Sequence, residues 1–333
     1  MSETTTRERH VVFVIYPGFQ SLDLTGPFEV FAGVNELLQT ENRRSGRYRL
    51  TVASSAAGPI TTESGLVVHA QRALSGIRQP IDTLIVVGGA GAVDLADLNP
   101  ALVRTVRRAA LSARRIVSVC TGSFVLAAAG LLENKTACTH WSRAALLART
   151  FPAVDVDQDS LFRRHDNVWT SAGVTAGIDL ALALVADDHD ERLAQTVSRW
   201  LVMFYRRPGG QSQFAAPVWY SASDRQTLRA VQDSVVAQPG ADHRLVAMAA
   251  RASMSERNFL RVFTREIGVT PAKYVESIRV NAACVNLETT GHSIDSIARA
   301  SGFGTAETMR RTFIRTKGIA PSDYRLRFSR HAS

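Results

Sequence analysis

Residues 255–274 (SERNFLRVFTREIGVTPAKY) return fifty positions later as residues 305–324 (TAETMRRTFIRTKGIAPSDY). Arg261 and Arg311, Phe263 and Phe313, Arg265 and Arg315, Gly268 and Gly318, Pro271 and Pro321, and Tyr274 and Tyr324 match at that single offset. Matches held to one offset mean two copies of one supersecondary unit. Before each copy lies a short apolar helical stretch, Leu245–Ala252 or Ile294–Ser301, and then a tight turn, SMS or GFGT. Ser255 or Thr305 then stands where a helix N-cap belongs. The pattern predicts two helix-turn-helix motifs. Thr270-Pro271 reads as the start of a helix between them and Gly291 as its stop, giving a spacer of about 18 residues, or about 27 Å. Such a spacer would hold two recognition helices about one DNA turn (~34 Å) apart, in successive major grooves.

Charge supports a nucleic-acid partner. The chain of 333 residues carries 39 Lys/Arg against 30 Asp/Glu. From Asp224 onward the count is 17 against 10, so +7 of the net +9 lies in the last third. A basic third is the electrostatic footprint of a DNA-binding domain, although a generally solvated basic surface would look the same. Helical spacing sorts the side chains. Phe259 and Phe263, like Met309 and Phe313, share a core face. Arg257 and Arg261 lie four apart on another face, and Ala306, Glu307, Arg310 and Arg311 take the exposed side of the second copy. Arginine reads guanine bidentately, and Glu307 could accept from a cytosine amino group or serve the helix dipole. Arg310 could equally hold phosphate. Arg265, Arg315 and Lys317 fall late in their helices, where they complement the dipole. Two unlike motifs per chain predict an asymmetric DNA site, bent if the grooves do not align.

The first two-thirds alternate strands with helices. Strand patterns fall at His10–Tyr16, Tyr48–Ala53, Ile81–Val87, Arg115–Val119 and Val168–Ser171. Helical patterns fall at Gly26–Leu38 (with Pro27 near its first turn), Pro100–Arg114, Thr121–Leu132 and Ala176–Ala186. Alternation of this kind predicts an α/β fold, a doubly wound parallel sheet over residues 8–190, followed by the all-α tandem helix-turn-helix domain over 225–328. Residues 191–224 connect them: a helix over His189–Arg206, whose apolar Trp200–Tyr205 run packs on the first domain or on a second copy, and a linker marked by Pro208, Gly209, Gly210 and Pro217. The aromatic residues Phe214, Trp219 and Tyr220 suggest that this linker docks on one domain.

In such sheets ligands sit beyond the carboxyl ends of the strands. Cys120 lies there, between a β-rich run and an apolar helix. It reads either as a buried inert thiol or as a nucleophile whose pKa the helix N-terminus lowers. Backbone N–H groups around it would hold an anion or polarise a carbonyl. Glycines at Gly88–Gly91 and Gly173 let backbone approach a ligand, or make tight turns. The three cysteines form no disulfide scaffold and indicate a reducing cytoplasm. No Cys or His pair has zinc-ligand spacing, so neither metal nor cofactor is expected. The polar start, MSETTTRERH, has no signal core, and no apolar run reaches membrane-spanning length. Only three of the basic residues are lysines, a bias of GC-rich bacterial genomes.

Five ordered stretches, LDLTGPFEVF, VVGGAG, VSVCTGSFVLAAAGLL, THW and TSAGVTAGIDLALALV, resemble the ThiJ/PfpI superfamily, which is related to class I glutamine amidotransferases. ARASGFGTAETMRRTF and GIAPSDYR resemble the AraC/XylS DNA-binding domain, and RRPGGQSQF is similar to the GlxA-like regulators that fuse the two. The resemblance implies a flavodoxin-like sensor domain and puts base-reading positions at Arg257, Leu260 and Arg261. It implies a pocket lined by Gly89, Cys120, Thr121, His140, Gly173 and Thr175. Hydrolases of the superfamily follow the cysteine with histidine, whereas Thr121 stands here. Isonitrile hydratases share the Cys-Thr pair and an aspartate in LDLTGP, so Asp23 and Glu29 are the candidate carboxylates if Cys120 is catalytic. Asp23 could instead be a helix N-cap, Glu29 a structural hydrogen-bonding group, and His140 a helix-start residue. Cys138 and Cys284 read as core. The whole implies a cytoplasmic regulator, an activator, whose partners are double-stranded promoter DNA, a small, nitrogen-containing effector, RNA polymerase and a second copy. The alternatives are a Cys120-dependent hydrolase or hydratase and a Cys120 redox sensor.

Overall fold

The computed structural model describes residues 8–43, 45–93, 100–205, 210–211 and 225–329. It divides into two compact units, residues 1–207 and 208–333. The predicted linker and its aromatic residues Phe214, Trp219 and Tyr220 lie outside the described residues.

Unit 1 is built on a seven-stranded sheet in the order β10-β11-β7-β6-β1-β2-β5. The strands are β1 (Arg9–Val14), β2 (Tyr48–Ser54), β5 (Arg72–Ala73), β6 (Thr83–Val86), β7 (Arg115–Val119), β10 (Phe162–His165) and β11 (Val168–Ser171). Neighbours pair parallel except β10, which runs antiparallel to β11. Val11–Tyr16, Leu84–Val87 and Val117 are almost wholly buried. That is why these strands read as continuous apolar runs rather than alternating ones. A side hairpin joins β3 (Gly58–Thr61) to β4 (Val67–Ala70), and β8 (Thr136–Cys138) pairs with β9 (Asp155–Asp157). The chain order reverses beside β1: β2 lies on one side and β6 on the other, so the switch-point crevice falls between β1 and β6.

The helices of unit 1 are α1 (Ser21–Thr40), α2 (Pro100–Ala110), α3 (Gly122–Ala128), α4 (Trp141–Thr150), α5 (Ala176–Asp188) and α6 (Glu191–Trp200). The helix expected from Gly26 starts at Ser21, because the Gln20 side chain caps it by accepting from Leu22 N–H. Pro27 therefore sits inside the helix, where its missing N–H leaves the Asp23 carbonyl without its usual donor. The continuous helix expected over His189–Arg206 is also corrected. His189 closes α5, Asp190 caps α6 by accepting from Leu193 N–H at 2.8 Å, and Val202 turns left-handed at φ 56°. The Trp200 ring lies over Gly33 of α1, while Val202 and Phe204 are 91% and 81% exposed. No helix among the described residues is long and apolar enough to cross a membrane.

Unit 2 is helical in its described residues: α7 (Gln226–Ala237), α8 (Leu245–Arg251), α9 (Glu256–Ile267), α10 (Pro271–Thr289), α11 (Ile294–Ala300), α12 (Ala306–Lys317) and α13 (Pro321–Phe328). The repeat survives in three dimensions. Ser255 and Thr305 cap α9 and α12 by accepting from Asn258 and Thr308 N–H, and Gly268 and Gly318 end those helices at φ 83° and 71°. Tyr274 stands edge-on to Phe263 with centroids 5.4 Å apart, and Tyr324 to Phe313 at 5.9 Å. Each copy has its own apolar cluster, one around Phe259 and Phe263 and one around Met309 and Phe313. α10 supplies Tyr274, Val275 and Ile278 to the first and Val280, Ala283 and Leu287 to the second, so one rigid helix joins two small cores.

Candidate functional site

The elbow is assembled from three strand ends. Cys120 follows β7 and adopts φ 55°, a left-handed conformation costly for a side-chain-bearing residue and typical of a functional turn. Two glycines make room for it. A methyl at Gly88 would lie 2.6 Å from the Cys120 Cβ, and one at Gly173 only 2.1 Å away. Both glycines are therefore required by the cysteine's own side chain.

Asp23 projects from the first turn of α1 and is fully buried. It is not the N-cap, which is Gln20. Its carboxylate accepts from Gly88 N–H at 3.1 Å and from Val174 N–H at 2.7 Å, and it lies near enough to the Cys120 thiol for each group to shift the other's pKa. Burial pushes the Asp23 carboxyl up to about 7, against the lowering effect of these donors. Burial, followed by the charge of Asp23, also raises the Cys120 thiol well above its ordinary range. Of the two readings of Cys120, these shifts favour the buried thiol: desolvation outweighs the helix end.

Thr121 clamps the neighbouring loop. Its hydroxyl donates to the Gly89 carbonyl and accepts from the Gly89 N–H, both at 2.8 Å. The amides of Gly88, Gly89 and Val174, which could have formed an oxyanion hole, already bond Asp23 and Thr121.

His140 does not reach the cysteine. It is the N-cap of α4, with Nδ1 2.8 Å from the Ser142 hydroxyl, while its neighbour Thr139 donates to the Cys120 carbonyl at 3.0 Å. Thr175 begins α5 on the exposed side of the loop. Glu29 is exposed and is corrected as a candidate. Six residues beyond Asp23, it lies about 240° further round the helix. The acidic side chain that does approach is Glu63, from the loop after β3. It accepts from Ala90 N–H at 3.0 Å and from the Gln20 side chain at 2.6 Å. No motif pointed to it, because a hairpin loop is brought there only by the fold.

In unit 2, Phe259, Phe263, Met309 and Phe313 are fully buried, which turns the opposite faces of α9 and α12 outward. Arg257, Leu260 and Arg261 are exposed on α9, and Arg261 donates to the Asn258 side chain at 2.9 Å. Among the described residues neither Arg257 nor Arg261 pairs with a carboxylate. On α12 the arrangement differs. Glu307 accepts from Arg310 at 2.8 and 3.0 Å and lies 3.7 Å from Arg311, and these arginines hold its carboxyl below the usual range. Ala306 is half-buried beside them. Arg315, expected to complement its helix end, instead ion-pairs with Glu276 of α10.

The sheet order, the strained cysteine and the paired helix-turn-helix motifs define a flavodoxin-like DJ-1/PfpI-type domain joined to a DNA-binding domain. The DJ-1/PfpI family model matches residues 9–187, and a helix-turn-helix domain model matches 248–327. The HTH-type transcriptional regulator Rv1931c of Mycobacterium tuberculosis is 37% identical over 264 residues, covering 75% of this chain and 96% of that protein. An isonitrile hydratase of Pseudomonas putida is 35% identical over 175 residues, covering 53% of this chain and 70% of that enzyme. A ThiJ/PfpI family protein from Pseudomonas syringae has the same fold, with TM-score 0.53 at 24% identity over 74% of this chain and 90% of that one. The chain belongs to the DJ-1/PfpI family, in the form fused to an AraC-type helix-turn-helix domain, and is a transcription regulator.

Proposed function

We propose that this regulator binds double-stranded promoter DNA through α9 and α12 and responds to a small, nitrogen-containing effector held in the DJ-1/PfpI domain. Arg257, Arg261, Ala306, Glu307, Arg310 and Arg311 form the DNA-facing set. The observation that carries the reading is the pair Arg257 and Arg261, exposed and, among the described residues, without carboxylate partners, on a helix anchored from behind by Phe259 and Phe263. In the other unit, His140, Gly173 and Thr175 edge the effector face, and Gly89, Cys120 and Thr121 shape its floor. The domain limits are 8–190, 191–224 and 225–328. The regulator acts in the cytoplasm as a homodimeric activator that contacts RNA polymerase. Sequencing of genomic fragments captured by the purified protein tests this. Sharp peaks lost in Arg261→Ala/Arg311→Ala support it; no peaks with or without cell metabolites refute it.

A second reading, Cys120-dependent hydration or hydrolysis, is favoured by the thiol's contact with Asp23 and by the likeness to isonitrile hydratase. Against it stand the buried, high-pKa thiol and amide donors already engaged by Asp23 and Thr121. The same burial removes the exposed thiolate a redox switch needs. The regulator is therefore read as no enzyme. Cys120→Ser decides: a sensor keeps its effector response, whereas an enzyme loses turnover.

A further inference from the structure

A cleft of about 720 Å³ opens at the end of unit 1 opposite the elbow, where β1, β6 and β7 begin. That volume suits a small molecule. Its floor is a buried ion cluster. The Asp188 side chain, 1% exposed, meets Arg115 at 2.5 Å, Arg114 at 2.7 Å and Arg9 at 3.7 Å, and accepts from the Tyr48 hydroxyl at 2.9 Å. Asp187 takes Arg115 and Arg164 at 3.1 and 3.0 Å, and Asp82 takes Arg114 at 2.7 Å. Among the lining residues the guanidiniums of Arg9, Arg43 and Arg114 outnumber the carboxylates of Glu8 and Asp82 by one, and the concave wall screens that charge less than open solvent would.

The cleft wall adds two features. Arg43 stands at the rim, and among the described residues it pairs with the exposed Glu41 at 3.3 Å. His189 lines the wall, and its buried Nε2 has no hydrogen-bond partner among the described residues. A buried ring nitrogen without a partner is costly and is relieved by a ligand that bonds it. Burial, then the charge of Arg9, lowers the pKa of this imidazole, while Asp188 and Asp190 act in the opposite sense.

We propose that this amino-end cleft binds a small anion, a carboxylate or a phosphate ester, between Arg9, Arg43 and the Nε2 of His189. The inference rests on the reading of unit 1 as an effector domain and adds a second binding face, opposite Cys120. The position gives such a ligand leverage. His189 closes α5 and Asp190 caps α6, so an anion on His189 touches the joint between the last two helices of the unit. Ligand bound there shifts any equilibrium in which that joint differs.

The test titrates the full-length protein with inorganic phosphate and with succinate by calorimetry, in chloride of matched ionic strength. Arg43→Glu removes the rim cation without touching the buried cluster. Arg149→Glu, exposed on α4, makes the same charge change away from the cleft. Wild type and Arg149→Glu are expected to bind alike, and Arg43→Glu at least tenfold more weakly. Whichever anion binds distinguishes phosphate from carboxylate. Equal binding by all three proteins, as anions held by the basic DNA-binding unit would give, overturns the proposal, and so does no binding of either anion. The genomic capture above is read on wild-type protein alone, so failure of the regulator reading remains separate from failure here.

Discussion

Asp23 accepts a hydrogen bond from the backbone N–H of Val174 at 2.7 Å, across 151 residues of chain. The bond holds a β-branched residue at φ 51°, where such residues seldom sit. The same carboxylate takes Gly88 N–H, so one buried side chain ties α1, the end of β6 and the loop before α5 into the floor beneath Cys120.

Asp23 predicts a particular pH dependence. Its pKa is about 7 folded against 3.8 for an ordinary aspartate. The folded state therefore holds the proton more tightly, and the contribution to stability is full below about pH 4 and lost as pH rises to about 7. Asp23→Asn should remove this component while leaving one amide facing a donor. Thermal melts from pH 4 to 8 check it: the gap between wild type and variant must narrow as pH rises, and parallel curves would refute the shift.

Thr121→Val removes the clamp on Gly89 at nearly constant volume. It leaves a buried N–H and C=O unpaired, for a cost of about 1–3 kcal/mol. Urea denaturation of unit 1 should show that loss, with DNA affinity unchanged; an unaltered midpoint would mean that water replaces the hydroxyl.

Asp188→Ala strands Arg115, whose side chain is 2% exposed, and takes a partner from the more exposed Arg9 and Arg114. Breaking a buried ion cluster from one side costs about 3–5 kcal/mol. Poor yield or a strongly lowered melting temperature is the expected result. A variant as stable as wild type would show that Asp82 and Asp187 suffice.

The two recognition helices should respond differently. Arg261→Ala is expected to cost about 1–3 kcal/mol of specific affinity and relax one half-site. Equal losses on all sequences would assign Arg261 to phosphate. Glu307→Ala frees Arg310 and Arg311, so it should raise non-specific affinity and steepen the salt dependence. A fall in affinity confined to one base position would instead make Glu307 a base reader. Binding isotherms on operator and random DNA at several salt concentrations separate these outcomes.

Legibility followed the range of the interactions. The parallel strands were readable because burial on both faces makes them uniformly apolar. The tandem motifs were readable because caps, αL glycines and the Phe–Tyr pairs recur at one spacing. The start of α1 was missed because a glutamine is not among the favoured capping residues. Around Cys120, the motif identified Asp23 but not its partners, and it also suggested Glu29, which helical rotation carries away. Glu63, Arg115 and His189 lie in no motif.

What the amino-acid order determined by itself is local: where strands and helices run, how α9 and α12 repeat, and which arginines stand opposite the core faces. Those follow from side-chain period and capping within a turn or two of chain. Tertiary structure alone decided that Cys120 is a buried thiol above its ordinary pKa, that Arg315 is tied to Glu276 of α10, and that three arginines converge on Asp188. Desolvation and charge pairing depend on which distant groups meet and how much water is left between them, and neither is written in sequence spacing.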